Sequence, residues 1–154
     1  MKPPADVAHT LNHFFDEHLP LTGFMGLRLA SYDGHTLVLK APLAPNINDK
    51  STAFGGSLYN AAVMACWGFA YLKTQEAGIV CNQVVAEGHI KYLAPVKGDI
   101  TAICKTPGSD ALAQFFEAFH SRGKASITLQ ASIACGGSEA VTFEGRYAIL
   151  RCTS

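Results

Sequence analysis

Apolar residues recur at helical spacing near the start of the chain, at Val7, Leu11, Phe14 and Phe15. They predict an amphipathic helix that ends before Pro20. Alternation comes next. Leu27 and Leu29 share one face of a first strand, Leu37 and Leu39 one face of a second, and Asp33-Gly34 reads as the hairpin turn between them. From Ser57 to about Glu76 the pattern becomes helical again, and Ala61, Ala62, Val63, Met64, Ala65, Cys66 and Trp67 occupy every side of that helix. A helix apolar all round is a buried helix. Gly78 suits its C-terminal cap. Strand-like runs cover roughly 80–94 and 99–106, parted by Pro95 and Gly98. Leu112, Phe115, Phe116 and Phe119 form a second amphipathic stripe, with Ser109 as its N-cap. Ile127, Leu129, Ala131 and Ile133 then alternate with polar residues, and Gly136-Gly137 turns the chain. Val141, Phe143, Tyr147 and Ile149 fit a last strand, with Gly145 as a bulge.

The elements add up to an α+β fold, about six antiparallel strands wrapped around one long helix, in a single domain over residues 1–154. One sheet covers only part of a helix. The uncovered side calls for a second copy, so a dimer at least is expected.

Composition narrows the partners. The formal net charge is zero, the pI is near 7.0 and no cluster of Lys or Arg occurs, which argues against nucleic acid and anionic membranes. The longest apolar run, Ala61 to Leu72, has 12 residues and is too short to span a bilayer. The chain starts polar, without a signal-peptide apolar region. Five cysteines, an odd number without a Cys-x-x-Cys, point to reduced thiols and a cytoplasmic location. His9 and His13 have metal-ligand spacing, but no third ligand is evident and a solvated helix face explains them, so no metal site is expected.

The chemistry centres on the polar loop from Asn46 to Ser51, which runs through Thr52-Ala53-Phe54 into Gly55-Gly56-Ser57-Leu58. Glycines at a helix start expose N–H groups that lack intrahelical partners and lie at the positive end of the helix dipole. Such a place suits a carbonyl oxygen that is becoming an anion.

This loop, with Asn48, Trp67-Gly68 and Tyr92-Leu93-Ala94-Pro95-Val96, resembles the hotdog fold of acyl-thioester enzymes. More narrowly it resembles the thioesterase family found as the C-terminal domain of YiiD-type proteins. The resemblance implies a cytoplasmic hydrolase of fatty acid metabolism that cleaves acyl-CoA or acyl-carrier-protein thioesters. It implies a homodimer, or a dimer of dimers, with active sites between protomers and no cofactor beyond the substrate's own CoA or phosphopantetheine.

Residue by residue, the resemblance carries the oxyanion role to Gly55 and Gly56, and substrate contacts to Thr52, Phe54 and Ser57. The carboxylates of known branches fall at Asn48 and Val63, neither of which is acidic. Asn48 can still orient water or the carbonyl. Three other groups are candidates for activating water. Asp49 adjoins Asn48, and Glu87 shares a strand face with His89 and Lys91, where carboxylate and imidazole can tune one another. Glu87 with Asn48 is the preferred pair. Met64 and Trp67 could set the depth of an acyl tunnel roofed by Phe115, Phe116 and Phe119. Lys91, Arg122 and Lys124 could meet CoA phosphates.

Two other classes stand beside hydrolysis. A dehydratase or isomerase of this fold needs a loop histidine, and none occurs between Asn46 and Glu76. A non-catalytic acyl-thioester binding protein is compatible with the two missing carboxylates.

Overall fold

The computed structural model describes residues 2–152. Helices α1 (Pro4–Val7), α2 (His9–His18) and α3 (Pro20–Met25) precede the hairpin of β1 (Arg28–Tyr32) and β2 (Thr36–Ala41). A short 3-10 turn, Ala44–Asn46, leads to the long α4 (Gly55–Glu76). Then come β3 (Cys81–Tyr92), β4 (Ile100–Lys105), α5 (Ser109–Arg122), β5 (Lys124–Cys135) and β6 (Ser138–Arg151). The strands form one antiparallel sheet in the order β1-β2-β4-β5-β6-β3. Helix α4 packs against β2, β4, β5, β6 and β3. This is the expected hotdog arrangement.

Several local expectations need correction. The first helical stretch is three helices. Pro20 starts α3 rather than merely ending α2, because a missing N–H costs nothing in a first turn. Ser109 is the first residue of α5, and Gly108 holds the cap position without a side-chain bond. Gly145 is no bulge: it pairs in register with Gly88 and Leu129. Its lack of a side chain serves close packing, since a Cβ there would lie 2.8 Å from the rings of Phe143 and Tyr147. The irregularities fall elsewhere, one of them between Val85 and Glu87.

Other readings hold. Leu37 and Leu39 are fully buried, Gly78 ends α4 at a left-handed φ of 69°, and Gly136 and Gly137 make the β5–β6 turn at φ of 63° and 84°. Asp33 closes the first hairpin by accepting the N–H groups of His35 and Thr36, both at 2.8 Å. Those bonds hold its carboxyl below the usual range.

Burial of α4 is less complete than its composition suggests. Leu58, Ala61, Ala62, Ala65, Cys66, Phe69 and Leu72 are buried, whereas Tyr59, Asn60, Val63, Trp67 and Tyr71 are only half-buried. Part of that stripe is covered from within the chain. Phe14 of α2 packs on Trp67 and Tyr71, with ring centroids 5.1 and 5.0 Å away. Gly68 permits the approach, because a Cβ there would come within 2.9 Å of Leu11. Among the described residues, no helix is long and apolar enough to cross a membrane.

The far end of α4 holds a buried polar cluster. Glu76, 3% exposed, accepts the Tyr32 hydroxyl at 2.6 Å and pairs with Lys73 at 3.2 Å. Removing the carboxylate strands a cation in the interior. Glu76→Leu is therefore expected to cost about 3 kcal/mol in urea unfolding. Adding Lys73→Met should recover most of that loss, and an unchanged unfolding midpoint in Glu76→Leu would contradict the pairing.

Candidate active site

The loop into α4 is built as a small hairpin. Ile47 and Ala53 bridge, Asn48 N–H donates to Thr52 O at 2.8 Å, and Phe54 N–H donates to Asn46 O at 2.7 Å. Asn46, 2% exposed, fixes its base by donating to Met25 O (2.9 Å) and Pro42 O (2.7 Å). Ser51 turns the tip at a positive φ of 62°. Ala53 N–H donates to Val96 O at 2.8 Å, tying the loop to the segment after β3.

Asn48 spends its amide on this loop. Its Nδ2 donates to Thr52 Oγ1 at 2.9 Å and, at 3.4 Å, to Ala53 O, while its Oδ1 accepts Lys50 N–H (2.8 Å) and Thr52 N–H (3.1 Å). Both donors and both lone pairs are in use. Asn48 and Thr52 thus act on each other.

Helix α4 then begins at Gly55 without a side-chain cap. Leu58 N–H donates to Phe54 O at 3.0 Å. The N–H groups of Gly55, Gly56 and Ser57 have no acceptor among the described residues. They sit where the dipole of a long helix is positive, and no charged side chain occurs in α4 before Lys73. Two aromatic residues frame them. Tyr92 Oη donates to Gly55 O at 2.9 Å, and the exposed Phe54 ring lies over Gly56, where a Cβ would come within 2.5 Å of a ring carbon.

The other candidates do not gather here within one chain. Glu87, His89 and Lys91 do share a face, opposite Arg146, Glu144 and Thr142 of β6, and all three are exposed. Glu87 is taken up by Arg146 at 3.1 Å and faces His89 at 3.7 Å, and the Arg146 guanidinium holds its carboxyl below the usual range. Its neighbour Gly88 faces the α4 side, where a Cβ would meet Tyr59, so Glu87 points away from that helix. Asp49 is 81% exposed beside Lys50. Lys91 and Lys124 stand opposite Thr142 and Leu150, roughly 27 Å apart along β6, too far to share one phosphate group. Arg122, also exposed, lies with Lys124 at the end of α5. Met64 is buried, Trp67 stacks on Tyr71 at 5.2 Å, and α5 with its phenylalanines packs on β5.

Two cavities lie elsewhere. One of about 1110 Å³ is lined by strand residues such as His89, Gln130 and Glu144, and one of about 240 Å³ by Tyr71, Thr74 and Gln83. Neither touches Gly55, which is half-buried, or Gly56, which is exposed.

The fold agrees with comparison to known proteins. A family model described as Putative thioesterase (yiiD_Cterm) matches residues 8–151. The chain belongs to that family. A crystal structure of a protein of unknown function from Chlorobaculum tepidum is 56% identical, with 97% of this chain and 98% of that one covered and a TM-score of 0.96. A Shewanella oneidensis protein called a putative thioesterase is 29% identical over 96% and 99% of the two chains, with a TM-score of 0.84. A Pseudomonas aeruginosa protein called a probable thioesterase shares the fold at 20% identity, with 92% and 94% covered and a TM-score of 0.77.

Sequence reasoning about this thioesterase-family chain gave no role to Tyr92 or Asn46. Tyr92 was visible only as part of a shared motif. Nothing in alternation reveals that its hydroxyl reaches a helix start 37 residues away in sequence.

The loop bonds predict a clear effect of Asn48→Ala. Losing them should cost about 1 kcal/mol and speed tryptic cleavage after Lys50. Unchanged cleavage would mean that other bonds hold the loop.

Proposed function

We propose that the chain hydrolyses acyl thioesters of CoA or of an acyl-carrier protein at the start of α4. The free N–H groups of Gly55 and Gly56, in a chain of the thioesterase family, carry this reading. Water adds to the thioester carbon, and the carbonyl oxygen takes the negative charge against these amides. Collapse of that intermediate breaks the C–S bond, and the departing sulfur takes a proton. Backbone donors supply the electrophilic help, so the step calls for no cofactor beyond the substrate's own CoA or phosphopantetheine.

Of the two carboxylates considered for activating water, Asp49 suits the geometry better. It stands on the loop that enters α4 and is bound, among the described residues, only by an exposed lysine, whereas Glu87 faces away and is held by Arg146. Asn48 keeps that loop in shape.

The site is completed by a second copy. Strand β3 is an edge strand of 12 residues with Val84, Val85 and Tyr92 exposed by 45–52%. Such an edge invites another strand. A partner adding its own β3 there would also cover the half-buried stripe of α4 and wall in the glycine amides. Five free cysteines among the described residues suit a reducing compartment, the cytoplasm in this reading.

A binding protein without turnover is the second reading, favoured by one observation: within one chain neither candidate carboxylate is shown against the glycine amides. Release of free thiol from a panel of acyl-CoAs decides between them. Turnover is expected, and saturable acyl-CoA binding without turnover would favour the second reading.

Gly55→Pro removes one donor at a first-turn position that tolerates proline, after a Phe54 ψ of 134° that suits a residue before proline. A kcat about 100-fold lower with an unchanged melting temperature is expected. Asp49→Asn should lower kcat and Glu87→Gln should leave it intact, and the reverse pattern would restore Glu87 as the base.

Light scattering should give a dimer for the native chain and a monomer with little activity for Val85→Lys. A fully active Val85→Lys monomer would contradict the shared site.

A further inference from the structure

The peptide between Gly55 and Gly56 has two ends. Its N–H belongs to Gly56 and is free, and its C=O belongs to Gly55 and accepts Tyr92 Oη at 2.9 Å. Whatever orients the carbonyl orients the amide, because the peptide unit is planar. A Gly-Gly pair is conformationally permissive and gains from such a restraint.

Tyr92 is itself firmly placed. It pairs with Val141 at the end of β3, and the next residue, Leu93, donates its N–H to Ala140 O at 2.7 Å. The same segment receives Ala53 N–H at Val96 O, so residues 92–96 grip the chain on both sides of the helix start. The Gly55 oxygen has a second lone pair, so the phenol bond adds to its helical one. A donor on the carbonyl polarises the whole peptide and strengthens its N–H as a donor.

Resting on the hydrolase reading above, we propose that Tyr92 is a positioning residue that aims and polarises the Gly56 N–H toward the thioester oxygen. It touches no reacting atom. Its effect reaches the transition state through the peptide, where the oxygen carries most charge, and should leave substrate binding nearly untouched.

Tyr92→Phe keeps the ring and deletes the donor. The native and variant dimers are compared by steady-state hydrolysis of the acyl-CoA that turns over fastest, by thermal melting, and by the amide-proton shift of Gly56. A kcat lower by about tenfold with KM and melting temperature unchanged is expected, a smaller loss than deletion of a donor itself. The Gly56 amide proton should move upfield. An unchanged kcat, or an equal rise in KM, overturns the proposal while native turnover leaves the hydrolase reading standing. The amide shift needs no substrate, so an unmoved Gly56 proton overturns the proposal even if no acyl-CoA is cleaved.

Discussion

The fold depends on covering α4. Its 22 residues hold no charge before Lys73, and 12 of them are buried. A cylinder of that kind, about 33 Å long, cannot face water. Five strands curve over it, and Leu37, Leu39, Leu129, Ile133 and Ile149 point inward. Each such side chain contributes about 1.5–3 kcal/mol on burial. Helix α2 covers a further part through Phe14, and its approach depends on the missing side chain of Gly68. What stays half-open is the stripe through Asn60, Val63 and Trp67.

The same requirement shapes the helix start. A buried helix must begin somewhere, and its first N–H groups must find partners or stay free. Here the loop bonds of Asn46, Asn48 and Thr52 serve the loop itself, and Phe54 at the cap position has no side-chain oxygen to offer. The amides of Gly55, Gly56 and Ser57 are thus left available by the choice of residues around them. A serine or aspartate at position 54 would cap the helix and take up the Gly56 or Ser57 N–H.

Much of this was legible in the sequence. Alternation at Leu37/Leu39 and Ile127–Ile133 gave the strands, and all-round apolarity gave α4. The double glycine marked the helix start. The hidden features depend on contacts distant in sequence. Pro20 looked like a stop because local propensity does not say whether a proline closes one helix or opens another. Gly145 looked like a bulge because the rings of Phe143 and Tyr147, not backbone strain, demand a glycine there. Glu87 looked reactive because alternation groups it with His89, yet it cannot tell which face of an edge strand meets the helix. Asn48 looked free because loop bonds carry no periodic signal.

The central claim is that free main-chain donors at the start of α4 receive the thioester oxygen. The most direct measurement is an amide titration of the native protein with an acyl-CoA analogue whose thioester is replaced by an unreactive ketone. The Gly55, Gly56 and Ser57 amide signals are predicted to shift most. Saturable binding that leaves those three signals in place, with shifts confined to the outer face around His89 and Glu144, would contradict it.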